Sequence, residues 1–95
     1  MSPELQRIKI AEACGWEINK RKWLAKPPSN SWQYLDTIPN YLNDLNAIHE
    51  AKKILTDKQW VIYSAELWKI TNNPLHATAE ECAEAFLKTL NLWEE

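Results

Sequence analysis

In Pro39-Asn40-Tyr41-Leu42-Asn43-Asp44-Leu45-Asn46-Ala47-Ile48-His49-Glu50, a proline-marked extended segment turns into a helix. Spacing predicts this helix over Asn43–Leu55, as the central helix of the fold. Leu45, Ala47, Ile48, Ala51, Ile54 and Leu55 share one side of it, and Asn46, Glu50 and Lys53 share the other. Asp44 falls within the apolar arc, so its carboxylate must cap the helix or find a partner there.

Upstream of this stretch, Ser2-Pro3-Glu4 is a helix start, with Ser2 at the cap and Pro3 at the first helical position. That first helix is expected to run to about Cys14. Gly15, the chain's single glycine, stands where a left-handed C-terminal cap is needed, which would fold Trp16 back onto the helix end. Lys22–Ala25 and Trp32–Leu35 then read as two short strands of a hairpin. The connection Lys26-Pro27-Pro28-Ser29-Asn30-Ser31 carries two prolines that resist helix and lack backbone donors.

Downstream, Thr56-Asp57-Lys58-Gln59 has the form of a capping box and starts a third helix. Trp60, Tyr63, Ser64, Leu67, Trp68 and Thr71 form its predicted stripe, with Glu66 and Lys69 opposite. Val61-Ile62-Tyr63 keeps a strand open as the second reading of this segment. Asn72-Asn73-Pro74 ends it, and Thr78-Ala79-Glu80-Glu81 caps a fourth helix. Its apolar stripe is Ala79, Cys82, Ala83, Phe86, Leu87, Leu90 and Trp93. The expected fold is therefore α+β and mostly helical: one domain over residues 1–95, with four helices and a small β-hairpin between helix one and helix two.

The 95 residues suit a single core, and six Trp supply ring area that a small domain otherwise lacks. Net charge is −2 overall, yet residues 1–30 carry +3 and the remainder −5. That asymmetry can steer a partner, but the chain has no basic excess of the kind a dedicated nucleic-acid binder shows. Cys14 and Cys82 sit in no CxxC pair, so reduced thiols are expected; no zinc-type spacing joins them to His49 or His76. No run approaches the length of a membrane span, and the N-terminus does not read as a signal peptide.

Three stretches together carry a family resemblance. They are Gly15-Trp16 after a short helix, the Pro39-x-Tyr41-x-x-Asp44-Leu45-Asn46-Ala47-x-x-Glu50 core, and Ala77-Thr78-Ala79 through Ala85-Phe86-Leu87 and Leu92-Trp93. With these the chain resembles the phage ABA sandwich domain family, small and mostly uncharacterised proteins of tailed bacteriophages and prophages. The resemblance implies a sheet layered with helices and a place in the host cytoplasm. The 16–38 segment departs from the pattern in lacking a glycine-containing turn.

Candidate ligand or partner contacts fall in two groups. Trp16, Trp23 and Trp32 interleave with Lys20, Arg21 and Lys22, a combination that could stack a ring and meet a phosphate; the simpler reading is core rings beside a solvated basic face. Tyr41, Asn43, Asp44 and Asn46 lie at the predicted start of helix two, where polar groups can hold a ligand; the simpler reading has Asp44 capping and Asn46 bracing the loop. No catalytic motif stands out, and no metal or cofactor is expected. The sequence thus favours a non-enzymatic protein that binds a host or phage protein, with counter-defence inhibition as one form. A nucleotide-like small-molecule binder is the alternative and a nucleic-acid binder the weaker one. A homodimer is the assembly that would cover surplus Trp surface.

Overall fold

Ser2 caps the first helix as its place before Pro3 predicts: its hydroxyl accepts the Leu5 N–H at 3.2 Å, and α1 spans Pro3–Ala13. In the computed structural model, which describes residues 1–28 and 31–94, α1 ends in a Schellman turn. Gly15 takes φ +98°, the Trp16 N–H donates to the Ala11 carbonyl at 3.0 Å, and the Gly15 N–H donates to Glu12 at 3.1 Å. Trp16 is thereby folded back, half-buried against the core. A Cβ on Gly15 would stand 3.1 Å from Pro28 Cγ, so glycine also allows the 27–28 segment to approach.

Three short strands follow: β1 (Glu17–Asn19), β2 (Leu24–Lys26) and β3 (Gln33–Tyr34). They form an antiparallel sheet in the order β1-β2-β3. The expected hairpin corresponds to β2 and β3, with Leu24 opposite Tyr34 and Ala25 opposite Gln33, but both strands are shorter than their apolar runs. Lys22 and Trp23 belong to the turn before β2, and Leu35 opens a 3₁₀ turn over Leu35–Thr37. The connection expected at Ser29-Asn30 lies outside the described residues. β1 was not expected, because three residues are too few to show an alternation.

The remaining helices are α2 (Leu45–Lys52), α3 (Asp57–Ile70) and α4 (Ala79–Thr89). The second helix is therefore shorter at both ends than the expected Asn43–Leu55. Asp44 stays extended at φ −125° and accepts the Asn46 N–H at 2.9 Å, which makes it the cap and not a helical residue. At the other end Thr56 must be extended to cap α3, so Lys53 and Ile54 form a turn. Both predicted capping boxes are present, Thr56 with Gln59 and Thr78 with Glu81, and residues 57–70 are helix throughout.

The central helix is α4, not α2. Ala79, Cys82, Ala83, Phe86 and Leu87 are buried as the stripe predicts, and Ala85 and Thr89 on the other side are buried too. α1, α2 and α3 all pack against it. α2 contributes only Ile48, Ala51 and Leu55, just beyond its end, to the buried core; Leu45 and Ile54, expected inside, are exposed. α4 also stops short of Trp93. Asn91 takes φ +59° and the Leu92 N–H donates to Leu87 at 2.8 Å, a second Schellman turn. The result is a small, mostly helical α+β fold with a three-stranded sheet between α1 and α2.

Candidate functional site

After the 3₁₀ turn at 35–37, residues 38–43 form neither helix nor strand, as suits a stretch where Pro39 lacks a donor and Asn40 and Asn43 favour turns. α1 holds it in place. Arg7 Nη2 donates to the Ile38 carbonyl at 2.7 Å, and Asn43 Nδ2 donates to Asn40 Oδ1 at 3.2 Å. Between this segment and α1 lies a cleft of about 450 Å³ walled by Arg7, Trp23, Leu42 and Asn43, among others. A neighbouring cleft of about 330 Å³ shares Glu4, Ile8, Trp23 and Leu35 with it and reaches Lys20, so the two form one groove along α1.

Two groups in this groove are unusual. The Arg7 guanidinium has no carboxylate partner among the described residues, and its buried Nε finds no acceptor there. An unmade hydrogen bond on a buried donor costs about 1–3 kcal/mol, so Arg7 sits at this wall at a cost in stability. Trp23 carries φ +57°, a left-handed conformation unfavourable for a bulky residue, and half of its surface is exposed. Its carbonyl accepts the Leu35 N–H at 2.9 Å, which locks the turn that holds the ring at the groove wall.

A second feature lies on α3, none of whose residues lines the groove. On α3 only Tyr63 and Leu67 are buried, whereas Val61 is 71% and Trp68 63% exposed. The predicted stripe that paired Trp68 and Ser64 with Tyr63 is thus split, and the inward line is Tyr63, Leu67 and the half-buried Ile70. The outward line is Val61, Ala65 and Trp68, with Ile62 beside it. Leu75, in the 3₁₀ turn Pro74–His76, is 91% exposed.

Beneath α3 lies a polar core cluster. Lys52 is buried with its Nζ 4.9 Å from the Tyr63 ring centre and 5.6 Å from that of Trp60. No carboxylate pairs with it among the described residues, and burial lowers its pKa. Burial likewise raises the pKa of Tyr63, with the nearby Cys82 adding to the effect. Among the described residues the Tyr63 hydroxyl has no hydrogen-bond partner within ordinary geometry, so Cys82 acts on it as a neighbour and not as an acceptor. No group of three or more His, Cys, Asp or Glu among the described residues could hold a metal ion.

The structure divides the sequence-derived contact residues. Trp23, Lys20 and Asn43 line the groove. Lys22 and Trp32 line a separate cleft of about 250 Å³ with Asn19 and Leu24. Arg21 is exposed in the turn between β1 and β2. Tyr41 is buried, and Trp16 packs on the core. Asp44 lies outside the core as a cap, which corrects its place in the apolar arc, and Asn46 does not brace the loop. Among the described residues the Asn46 side chain makes no hydrogen bond, and its backbone N–H goes to Asp44, while Asn43 and Arg7 hold the 35–43 segment. Arg7 was missed because one cation on an ordinary helix carries no sequence signal. No helix among the described residues is long and apolar enough to cross a membrane. The chain matches no protein-family model, no curated protein and no solved structure.

Proposed function

We propose that this protein is a non-enzymatic binding protein that docks another protein on the outer face of α3. The observation that carries this reading is the exposed Val61, Ala65 and Trp68 line at helical spacing, flanked by Ile62. Exposed apolar residues scattered singly are ordinary, but a line of them along one helix is a typical recognition element. Trp is also a frequent anchor at the centre of protein interfaces. The charges along α3 balance, Asp57 against Lys58 and Lys69 paired with Glu66 at 3.4 Å, so the partner suited to this face is one that offers an apolar groove. The resemblance at Pro39–Glu50 extends the reading to a phage or prophage accessory protein that acts on a host or phage protein in the host cytoplasm, with inhibition of a defence factor as one form.

The test is affinity capture from host lysate with the wild-type chain and with a Val61→Glu/Trp68→Glu double variant. A saturable partner held by the wild type and released by the variant is the expected result. Retention of the same partner by both proteins would remove α3 from the account. A dimer in solution that the double variant dissolves would assign the face to a second copy of the chain.

A further inference from the structure

The groove along α1 is independent of the α3 face and has its own chemistry. We propose that it binds a small flat anion, a planar ring carrying one phosphate or carboxylate, of about the size of a nucleoside monophosphate. Both clefts fall within the volume range of small-molecule sites, and they are continuous past Trp23. Arg7 supplies the anion partner: one of its N–H groups is used on Ile38, and no carboxylate neutralises it among the described residues. Guanidinium binds carboxylate and phosphate with planar, charge-assisted hydrogen bonds. Trp23 supplies the ring platform. Its left-handed backbone is strained, and strain of this kind clusters where a side chain must be presented to a ligand.

The other polar groups in the groove narrow the ligand. Asn43 stands near the Arg7 end and Lys20 near the far end, while Glu4 lines both clefts. Together Arg7, Lys20 and Glu4 leave one net positive charge, which suits a single anionic group better than a polyphosphate. Glu4 can also accept from an amino group on the ring, a donor that adenine and cytosine carry. Of the basic cluster only Lys20 lines this site, and of the groups at the start of α2 only Asn43; Arg21, Lys22 and Asp44 do not.

Titration calorimetry on the wild-type chain with adenosine monophosphate, adenosine, indole-3-acetate and inorganic phosphate tests the proposal. At least one of the two ring-bearing anions should bind about tenfold or more tighter than both adenosine and inorganic phosphate. Preference for adenosine monophosphate identifies the phosphate source, and preference for indole-3-acetate the carboxylate source. Arg7→Met should weaken that binding by about tenfold or more. Trp23→Gly relieves the left-handed strain, which offsets part of the lost ring packing, so it should remain folded, as its unfolding curve checks, and lose about tenfold in affinity. The Val61→Glu/Trp68→Glu variant should bind as wild type does, which separates this site from the α3 face. The proposal is overturned if neither anion binds, if adenosine binds equally well, or if Trp23→Gly leaves the affinity unchanged.

Discussion

α3 and α4 begin alike and end up in opposite environments. Each starts on a Thr capping box closed by a side chain at the third helical position. α4 is then covered on nearly every side and carries small or apolar residues there, Ala83, Ala85 and Phe86 among them. α3 buries one line, Tyr63 and Leu67, and turns Val61, Ala65 and Trp68 outward. Local capping chemistry sets where a helix starts, whereas tertiary packing decides how much of its apolar surface finds cover. A helix with more apolar residues than its neighbours can cover is the one to suspect of having a partner.

The sharpest break between the two helices comes from truncating a ring in each. Phe86→Ala should destabilise the chain by about 3–5 kcal/mol, because it empties a fully buried site on the helix against which the other three pack. Trp68→Ala should cost far less, within about 0.5 kcal/mol, as expected of a surface change. Denaturant unfolding of both variants checks the contrast, and equal losses would mean that the outer face of α3 is packed after all.

Next in size is Lys52, buried between α2 and α3. Lys52→Met removes the desolvation cost of an unpaired cation together with its two ring contacts, so it should change stability by no more than about 1 kcal/mol at neutral pH. Because burial holds the folded pKa of Lys52 below the ordinary 10.5, the unfolded chain binds the extra proton between those values. Wild-type stability should therefore gain from Lys52 as pH rises through the lowered value toward 10.5, and the variant should lack that gain. A matching pH profile in both proteins would contradict the assignment.

Thr78→Ala and Thr56→Ala remove equivalent caps, and each should cost about 1 kcal/mol. Equal losses would show that the two helices differ in packing alone, while a much larger loss for Thr78 would show that α4 needs its cap to hold the other three helices together. Thermal and denaturant unfolding distinguish these outcomes.

Much of this architecture was legible because its signals are local. Ser2, Thr56 and Thr78 announce helix starts through side-chain oxygens that need only the next three residues. Gly15 announces a helix end through a backbone angle other residues resist. β1 was hidden because Glu17–Asn19 pairs only after β2 is in place beside it. The exposure of Leu45, Ile54 and Trp68 was hidden for a related reason: a helical wheel gives spacing but not which arc the other helices occupy. The groove was half legible. Trp23, Lys20 and Asn43 were singled out by type, while Arg7 enters only because α1 lies beside the 35–43 segment.

The outer face of α3 is tested most directly by a photoreactive benzophenone side chain placed at Ala65, in the middle of the outward line, and at exposed Asp36 as the control position. Irradiation in a cell lysate should give a discrete adduct from position 65, none from position 36, and loss of the adduct when Val61 and Trp68 are also changed to Glu. The same adducts from both positions, or an adduct from 65 that survives those two changes, would contradict a docking role for α3.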